Sequence, residues 1–185
     1  MHKFYELRFN IWGEIVMSKL YIAYGSNLNK DQMKLRWPNA EPLDELILKG
    51  WKLVFKGVAD IIKDEKSEVP IGIYKITEQC ERALDRYEGY PILYQKKMIN
   101  VNIQGNNRSA LVYLMDKKFG LGPPCEQYYD VIEQGYTDWA LNKLYLINAA
   151  KHSNTEQSGM SHHPRKWSQN KLQILDLNRL SQRGK

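Results

Sequence analysis

The sequence is poor in cysteine and has no long apolar run. Cys80 and Cys125 are its only cysteines among 185 residues, so no disulfide framework is expected, and two free thiols favour a reducing compartment. No apolar stretch approaches the roughly 18 residues of a membrane-crossing helix. Charged residues also interrupt the apolar positions near the N-terminus, which makes a poor signal peptide. These absences predict a cytoplasmic protein without a membrane segment.

Histidine is scarce as well, with four in the chain. His162 and His163 are adjacent, and neighbouring side chains point different ways on a regular backbone. No cysteine or carboxylate spacing completes a metal site with them or with His152. Cys125 has no histidine nearby in the sequence, so a structural thiol is expected there rather than a nucleophile. We therefore predict no metal site.

The positive charge is unevenly distributed. The net charge is +6, and residues 151–185 carry seven lysines and arginines against Glu156 and Asp176, which leaves +1 for residues 1–150. A basic tail can contact RNA, DNA or acidic lipid, but it is more often a solvated chain end. We favour the solvated end, so nucleic acid is not an expected partner. Strongly salt-dependent RNA binding that is lost on deleting residues 151–185 would support the alternative.

Hydrophobic residues make up 43% and charged residues 26% of the chain, which is ordinary for one globular domain. Composition divides the chain into an N-terminal extension (1–16), a patterned domain (17–145) and a basic C-terminal tail (146–185). Within the tail, the polar residues 151–164 predict a linker. Residues 166–181 predict a short amphipathic helix.

The pattern of residues 17–145 predicts a mixed α+β fold. Strands and helices follow in the order β-α-β-β-α-β-β-α, without the regular crossover rhythm of a parallel sheet. The arrangement favours a small, partly closed, antiparallel-rich sheet or barrel flanked by helices. The predicted strands are 20–24, 46–55, 70–76, 94–103 and 110–115, with Gly105-Asn106-Asn107 as the turn between the last two. The predicted helices are 29–37, 78–87, which Thr77 can cap, and 124–141.

A turn with the sequence Tyr24-Gly25-Ser26-Asn27 follows the first strand of this domain. The next helix has Asn29 as a suitable N-cap. Glycine lacks Cβ, so a ligand can approach the backbone closely, and N–H groups before a helix attract anions. The turn is therefore a candidate cradle for a carboxylate or phosphate. Taken alone, the tetrapeptide fits better an ordinary strand-to-helix turn that needs a glycine.

A second candidate residue is Glu88, at the predicted end of the second long helix. Gly89 is a plausible residue to terminate that helix. A carboxylate there gains nothing from the helix dipole, and partial burial among Tyr87, Tyr90 and Tyr94 would raise its pKa toward that of a general base working near neutral pH. By composition alone, Glu88 is more simply an exposed residue at a helix end.

Taken together, these segments resemble the γ-glutamylcyclotransferase superfamily, which includes the AIG2-like proteins, over about residues 18–141. The resemblance rests on several segments in order with plausible spacing. One departure is Pro124-Cys125, where the family usually has Pro-Ser. The matching segments are Tyr21-Ile22-Ala23-Tyr24-Gly25-Ser26-Asn27-Leu28, then Met33, Arg36 and Pro38-Asn39-Ala40, then Gly72 to Thr77, then Leu84-Asp85 with Glu88-Gly89 and Tyr94, then Ala110 with Tyr113, and finally Pro124 to Tyr128 with Ile132 and Gly135.

The resemblance implies a cofactor-independent enzyme that acts on a small γ-glutamyl substrate in glutathione metabolism. Glu88 would take a proton from the α-ammonium group, the freed amine would attack the γ-carbonyl, and the carboxylic acid would return the proton to the departing amine. The products would be 5-oxoproline and a free amine or amino acid. The first loop would hold the α-carboxylate through backbone amides. The implied substrate-binding residues are Tyr21, Ile22, Ala23, Tyr24, Gly25, Ser26 and Asn27, with Tyr128 on the last helix, and with Tyr94 and Tyr113 placed along the pocket by position and chemistry.

This chemistry requires few catalytic groups, because the nucleophile is already part of the substrate and the enzyme mainly orients it and moves one proton. The residues leave the substrate open among γ-glutamyl amino acids, γ-glutamylamines and related metabolites. They also leave open a non-catalytic member whose pocket holds a small carboxylate, since a fold does not fix a function.

Overall fold

The structure is a computed structural model that describes residues 6–9, 15–164 and 167. Six strands and four α-helices make up its regular structure, with one 3-10 turn at Ser26–Leu28. The strands are β1 (Glu6–Phe9), β2 (Ile15–Ala23), β3 (Glu41–Phe55), β4 (Ala59–Thr77), β5 (Tyr94–Ile103) and β6 (Asn106–Met115); the helices are α1 (Lys30–Arg36), α2 (Glu78–Glu88), α3 (Glu126–Asp138) and α4 (Leu144–Thr155).

The strands form one sheet in the order β3-β4-β2-β6-β5, with β1 paired to β2. Strands β2 and β6 are parallel, and the other pairs are antiparallel. The predicted mixed α+β class and antiparallel-rich sheet are confirmed. The sheet is not closed, however, because β3 and β5 end the path. They approach through side chains, with Lys97 Nζ 5.9 Å from the centroid of the Trp51 ring.

The β3–β4 hairpin is longer than the sequence indicated. The predicted strands 46–55 and 70–76 extend to Glu41–Phe55 and Ala59–Thr77. The polar stretch 63–68 was missed because its residues are largely exposed, beyond the apolar core. Pairing with β3 holds the two ends of this stretch, with Lys49 opposite Glu68 and Trp51 opposite Lys63, and residues 64–67 lie in the register shift between those pairs. Pairing at its two ends therefore places this polar stretch within β4 despite its weak local strand propensity.

Two predicted helix starts are present. Asn29 Oδ1 accepts a hydrogen bond from the Gln32 amide at 2.9 Å, and Thr77 Oγ1 accepts one from the Cys80 amide at 3.2 Å. Such caps satisfy backbone donors that a helix leaves free. The first fixes α1 behind the Gly-Ser-Asn turn, and the second starts α2 so that it ends at Glu88.

Helix α3 packs directly on the turn that precedes α1. A Cβ atom on Gly135 would lie 2.5 Å from Leu28 Cβ and 2.7 Å from the Asn29 nitrogen. Trp139 Nε1 also donates a 2.8 Å hydrogen bond to the Leu28 carbonyl. The glycine permits this close approach, and the contact places Tyr128, on the first turn of α3, beside the same turn.

Helix α4 includes the first residues of the predicted linker, so the prediction was wrong for residues 151–155. Residues 151–155 are helical, and the predicted boundary between residues 145 and 146 lies inside α4. The helix packs on β3, and the buried Ser153 Oγ accepts a 2.7 Å hydrogen bond from the Phe55 amide. The polar composition of 151–155 hid this short buried face. The predicted helix at 166–181 lies outside the described residues except for Trp167, so the domain division stays a prediction.

Among the described helices, none combines the length and hydrophobicity needed to span a bilayer. Within the same described part of the chain, no three His, Cys, Asp or Glu side chains are grouped so that they could hold a metal ion.

Candidate functional site

Residues from four strands (β2, β4, β5 and β6), two helices (α2 and α3) and the turn after β2 converge on one small cavity of about 30 Å³. The turn after β2 supplies one wall, and the last residue of α2 supplies another. The cavity therefore brings Glu88 and the Gly-Ser-Asn turn together, although 61 residues separate Glu88 from Asn27. Its lining residues are Tyr21, Tyr24, Gly25, Ser26, Asn27, Ala59, Glu88, Tyr94, Tyr113 and Tyr128.

Ile22 and Ala23 are the two predicted site residues that do not line this cavity. Ile22 is 0% exposed and Ala23 is 1% exposed, and both belong to the hydrophobic core. Along β2 they lie opposite Ile73 and Gly72 of β4. Their packing positions the turn, and any contact with a ligand would have to come through their backbone.

Gly25 is favoured by close packing and not by a left-handed backbone conformation, since its φ is −117°. A Cβ atom here would lie 3.1 Å from Ala59 Cβ and 3.3 Å from the Tyr128 hydroxyl. In the turn, the amides of Leu28 and Asn29 donate to the carbonyls of Gly25 and Ser26 at 2.9 and 3.2 Å. No such turn bond among the described residues uses the amides of residues 25–27, which keeps them available to an anion.

Glu88 is half-buried rather than an exposed helix end. Gly89 terminates α2 in the left-handed conformation, with φ 65°. The Asn27 side-chain amide donates to Glu88 Oε1 at 2.8 Å and to the Tyr21 hydroxyl at 2.8 Å. Asn27 Oδ1 is buried and has no hydrogen-bond partner among the described residues. The site thus places the Glu88 carboxylate beside Asn27 Oδ1, an acceptor that no described residue uses. The expected rise in the Glu88 pKa stays a prediction.

The tyrosines of the cavity are neutral hydrogen-bonding groups. Burial, the largest cause, raises the pKa of Tyr21, Tyr24, Tyr94, Tyr113 and Tyr128. The Tyr24 hydroxyl donates to the Tyr113 carbonyl at 2.6 Å, and the Tyr94 hydroxyl to the Ala59 carbonyl at 2.7 Å. Neutral phenols cannot serve as bases near neutral pH. Of the described residues that line the cavity, Glu88 is the one carboxylate.

Ion pairs hold α2 against the sheet. Lys96 on β5 contacts Asp85 Oδ2 at 2.7 Å and Glu81 Oε1 at 2.8 Å. Lys19 on β2 contacts Glu81 Oε2 at 2.6 Å. The Tyr113 hydroxyl donates to Asp85 Oδ1 at 2.6 Å. These contacts, one to two turns before Glu88, fix the direction in which α2 presents its last residue.

A larger outer cavity of about 340 Å³ adjoins the inner one and shares Ser26, Glu88, Tyr94 and Tyr128 with it. Small-molecule sites commonly have about 300–1,000 Å³. Sequence reasoning missed much of its wall, because residues after 150 were expected to be a linker and tail. The other lining residues are Val58, Arg86, Tyr87, Gly89, Leu93, His162, Pro164 and Trp167.

A third cavity, about 660 Å³, lies between the β3–β4 hairpin and α4. It is larger than the other two, but none of the predicted site residues lines it. Its charged side chains include Lys49, Glu65 and Lys66, all exposed to solvent. Exposed charged side chains are common on protein surfaces and do not indicate a binding site. We therefore place the candidate site at the two adjoining cavities.

The family model described as "Gamma-glutamyl cyclotransferase, AIG2-like" matches residues 21–140. This chain belongs to that family. The matched residues include every residue of the inner cavity and Arg86, Tyr87 and Leu93 of the outer one. Residues His162, Pro164 and Trp167 lie beyond the matched range.

Solved structures support this family assignment. A protein titled "Gamma-glutamyl cyclotransferase" has a TM-score of 0.64 and 25% identity, over 80% of this chain and 92% of that chain. An uncharacterized Homo sapiens protein has a TM-score of 0.63 and 26% identity, over 78% and 90%. YkqA from Bacillus subtilis shares the fold, with a TM-score of 0.62 and 23% identity over 77% and 56%. A search of the curated proteins finds no match.

Proposed function

We propose that this protein is a γ-glutamyl cyclotransferase that converts a γ-glutamyl amide into 5-oxoproline and a free amine or amino acid. Glu88 accepts a proton from the substrate's α-ammonium group. The freed nitrogen attacks the γ-carbonyl carbon, the bond from that carbon to the departing nitrogen breaks, and Glu88 returns the proton to the departing nitrogen. One carboxylate serves both steps, so the reaction needs no cofactor.

The observation that carries this proposal is the shared cavity. The Glu88 carboxylate and the turn of Gly25, Ser26 and Asn27 line the same space. A γ-glutamyl group has a carboxylate and an ammonium on one carbon, so a site for it needs anion donors next to a proton acceptor. Amides of the turn provide the donors, and Glu88 provides the acceptor.

Asn27 adds a specific contact for the ammonium group. Its Oδ1 is buried without a partner among the described residues, and a buried acceptor in that state is costly unless a ligand or water satisfies it. In the proposed complex the α-ammonium donates to Asn27 Oδ1 as well as to Glu88. The inner cavity of about 30 Å³ accepts the charged end of the substrate, and the remaining atoms extend into the outer cavity.

The test is to incubate the protein with γ-glutamyl dipeptides and γ-glutamylamines and to measure 5-oxoproline by chromatography and mass spectrometry. Glu88→Gln should abolish turnover with little change in thermal stability. The matched control is Glu78→Gln, at the exposed start of the same helix, where Glu78 pairs with Arg82 at 3.0 Å; it should keep full activity. A fully active Glu88→Gln protein would exclude the proposed role of Glu88.

The remaining alternative is a non-catalytic protein that binds a small carboxylate. Saturable binding of γ-glutamyl compounds without any 5-oxoproline would favour it over the enzyme. A cytoplasmic location, which the sequence features indicate, and a role in glutathione metabolism, which the family resemblance implies, stay predictions.

A further inference from the structure

The C-terminal segment returns across the mouth of the site. We call residues 157–164 together with Trp167 the strap. Its backbone is hydrogen-bonded to the domain at three places: the Ser158 amide to the Leu121 carbonyl at 3.0 Å, the Gly120 amide to the Met160 carbonyl at 3.1 Å, and the His162 amide to the Lys56 carbonyl at 2.7 Å. The strap is therefore docked along two loops of the domain.

Two glycines of the domain fit this docking. A Cβ on Gly57 would lie 2.2 Å from the His162 carbonyl oxygen, and a Cβ on Gly120 would lie 1.4 Å from the Ser158 carbonyl oxygen. Contacts this short with backbone atoms would displace the strap, since real Cβ atoms stay beyond about 3 Å. Gly57 also has φ +82°. The loops are thus shaped to receive the strap backbone.

The end of the strap reaches the candidate site itself. The ring centroids of Trp167 and Tyr128 are 5.2 Å apart in an edge-to-face arrangement. The Cys125 thiol lies 3.3 Å from the Trp167 carbonyl, and the Trp167 amide donates to the Pro164 carbonyl at 3.0 Å. Trp167 is partly exposed, so part of its side chain is available to a ligand.

The strap supplies one wall of the outer cavity through His162, Pro164 and Trp167, with Val58 and Leu93 from the domain. Much of this wall is apolar, whereas the charged end of a γ-glutamyl group is satisfied at the inner cavity. Arg86 also lines this cavity, but it is exposed to solvent. The part of the substrate that faces the strap is therefore the part beyond the scissile amide.

We infer that the outer cavity is the subsite for the departing amine, and that Trp167 of the strap makes it select γ-glutamyl amides whose amine component is apolar or aromatic. This inference rests on the proposed cyclotransferase activity. A flat indole can contact an aromatic or branched group on the amine, and such contacts discriminate by differential binding. An amine component without a side chain leaves that surface uncovered.

The experiment compares γ-glutamyl-phenylalanine with γ-glutamyl-glycine on the full-length protein. Trp167→Ala should raise KM for γ-glutamyl-phenylalanine on the order of tenfold and change KM for γ-glutamyl-glycine by less than about twofold, because the glycine product lacks the side chain. Trp167→Phe keeps an aromatic face, so its KM for γ-glutamyl-phenylalanine should stay close to the wild-type value. The matched control is Met160→Ala, a strap residue whose side chain is 70% exposed; both KM values should match those of the wild type.

Calorimetric titration of both dipeptides into the Glu88→Gln protein, with and without Trp167→Ala, separates the two hypotheses. If the wild type forms 5-oxoproline but Trp167→Ala affects both substrates equally or neither, the subsite is wrong and the cyclotransferase stands. If the wild type forms none, the cyclotransferase is wrong. In that case the titrations test the subsite. If Trp167→Ala weakens binding of γ-glutamyl-phenylalanine but not of γ-glutamyl-glycine, the subsite is supported. If Trp167→Ala leaves γ-glutamyl-phenylalanine binding unchanged, or if neither dipeptide binds, the subsite is wrong. Thermal melts establish that each variant is folded.

Discussion

Removing the side-chain amide of Asn27 should displace the acidic limb of the pH–activity profile. Its Nδ2 donates to Glu88 Oε1 at 2.8 Å, and a donor of this kind favours the ionised carboxylate over the protonated one. Asn27→Leu keeps a similar volume but no donor. Glu88 is then protonated at higher pH and cannot accept the proton from the substrate until the pH is raised further.

The magnitude follows from the strength of one charge-assisted hydrogen bond. Such bonds contribute about 1.5–3 kcal/mol, and a shift of one pH unit corresponds to about 1.36 kcal/mol. Glu88 is half-buried, so water replaces part of the lost bond. We therefore expect the limb of the kcat/KM profile to move upward by about one pH unit. Loss of the Asn27 Oδ1 contact with the α-ammonium should in addition lower kcat/KM by the same factor at every pH, so the position of the limb is the diagnostic quantity.

The assay is kcat/KM for one γ-glutamyl substrate between pH 4 and 9, with thermal melts at each end. Asn29→Ala is the matched control from the same turn. Asn29 caps α1 through the Gln32 amide, so its loss should lower stability by about 1 kcal/mol without moving the limb. If Asn27→Leu has the wild-type limb, or if the two variants move it equally, the hydrogen bond does not control the Glu88 carboxylate.

Two further predictions concern stability. Gly135→Ala places a Cβ 2.5 Å from Leu28 Cβ and should lower the free energy of unfolding by about 1–3 kcal/mol in urea titrations, whereas the exposed neighbour Gln134→Ala should stay within about 0.5 kcal/mol of wild type; equal stabilities would refute the packing argument. Burial raises the pKa of Asp60 above its ordinary value of 3.8 although Lys56 opposes this, so its contribution to stability is complete below pH 3.8 and is lost as the pH rises through the folded-state pKa. Asp60→Asn should remove that decline from denaturation curves measured as a function of pH, and an unchanged pH dependence would contradict it.

Much of the fold was predictable where short segments carry their own signals. The apolar run 20–24 contains the buried end of β2, which stops at Ala23, and Asn29 and Thr77 cap helices as their positions indicated. The pairing of β5 with β6 was also predicted, although the turn is Gln104-Gly105 and the predicted turn residues Asn106 and Asn107 already belong to β6. These features depend on neighbours within a few residues, so local patterns are enough to indicate them.

The misses share a physical cause. The polar outer part of β4 and the first residues of the expected linker carry weak local signals, and partners distant in sequence determine their structure. Pairing of Lys63 and Glu68 with β3 holds the two ends of the former, and burial of Ser153 against Phe55 holds the latter in α4. The open sheet has the same origin, because closure depends on how far apart β3 and β5 lie in space.

For the candidate site, the sequence by itself determined the parts: a glycine turn after a buried strand, and a glutamate followed by a glycine that ends a helix. Only the tertiary structure decided that Asn27 touches Glu88 across 61 residues of sequence, and that Trp167 of the strap packs beside Tyr128. Local composition sets backbone conformation and capping. The meeting of distant side chains is set by how the elements pack, here by close contacts such as that of Gly135 with the turn.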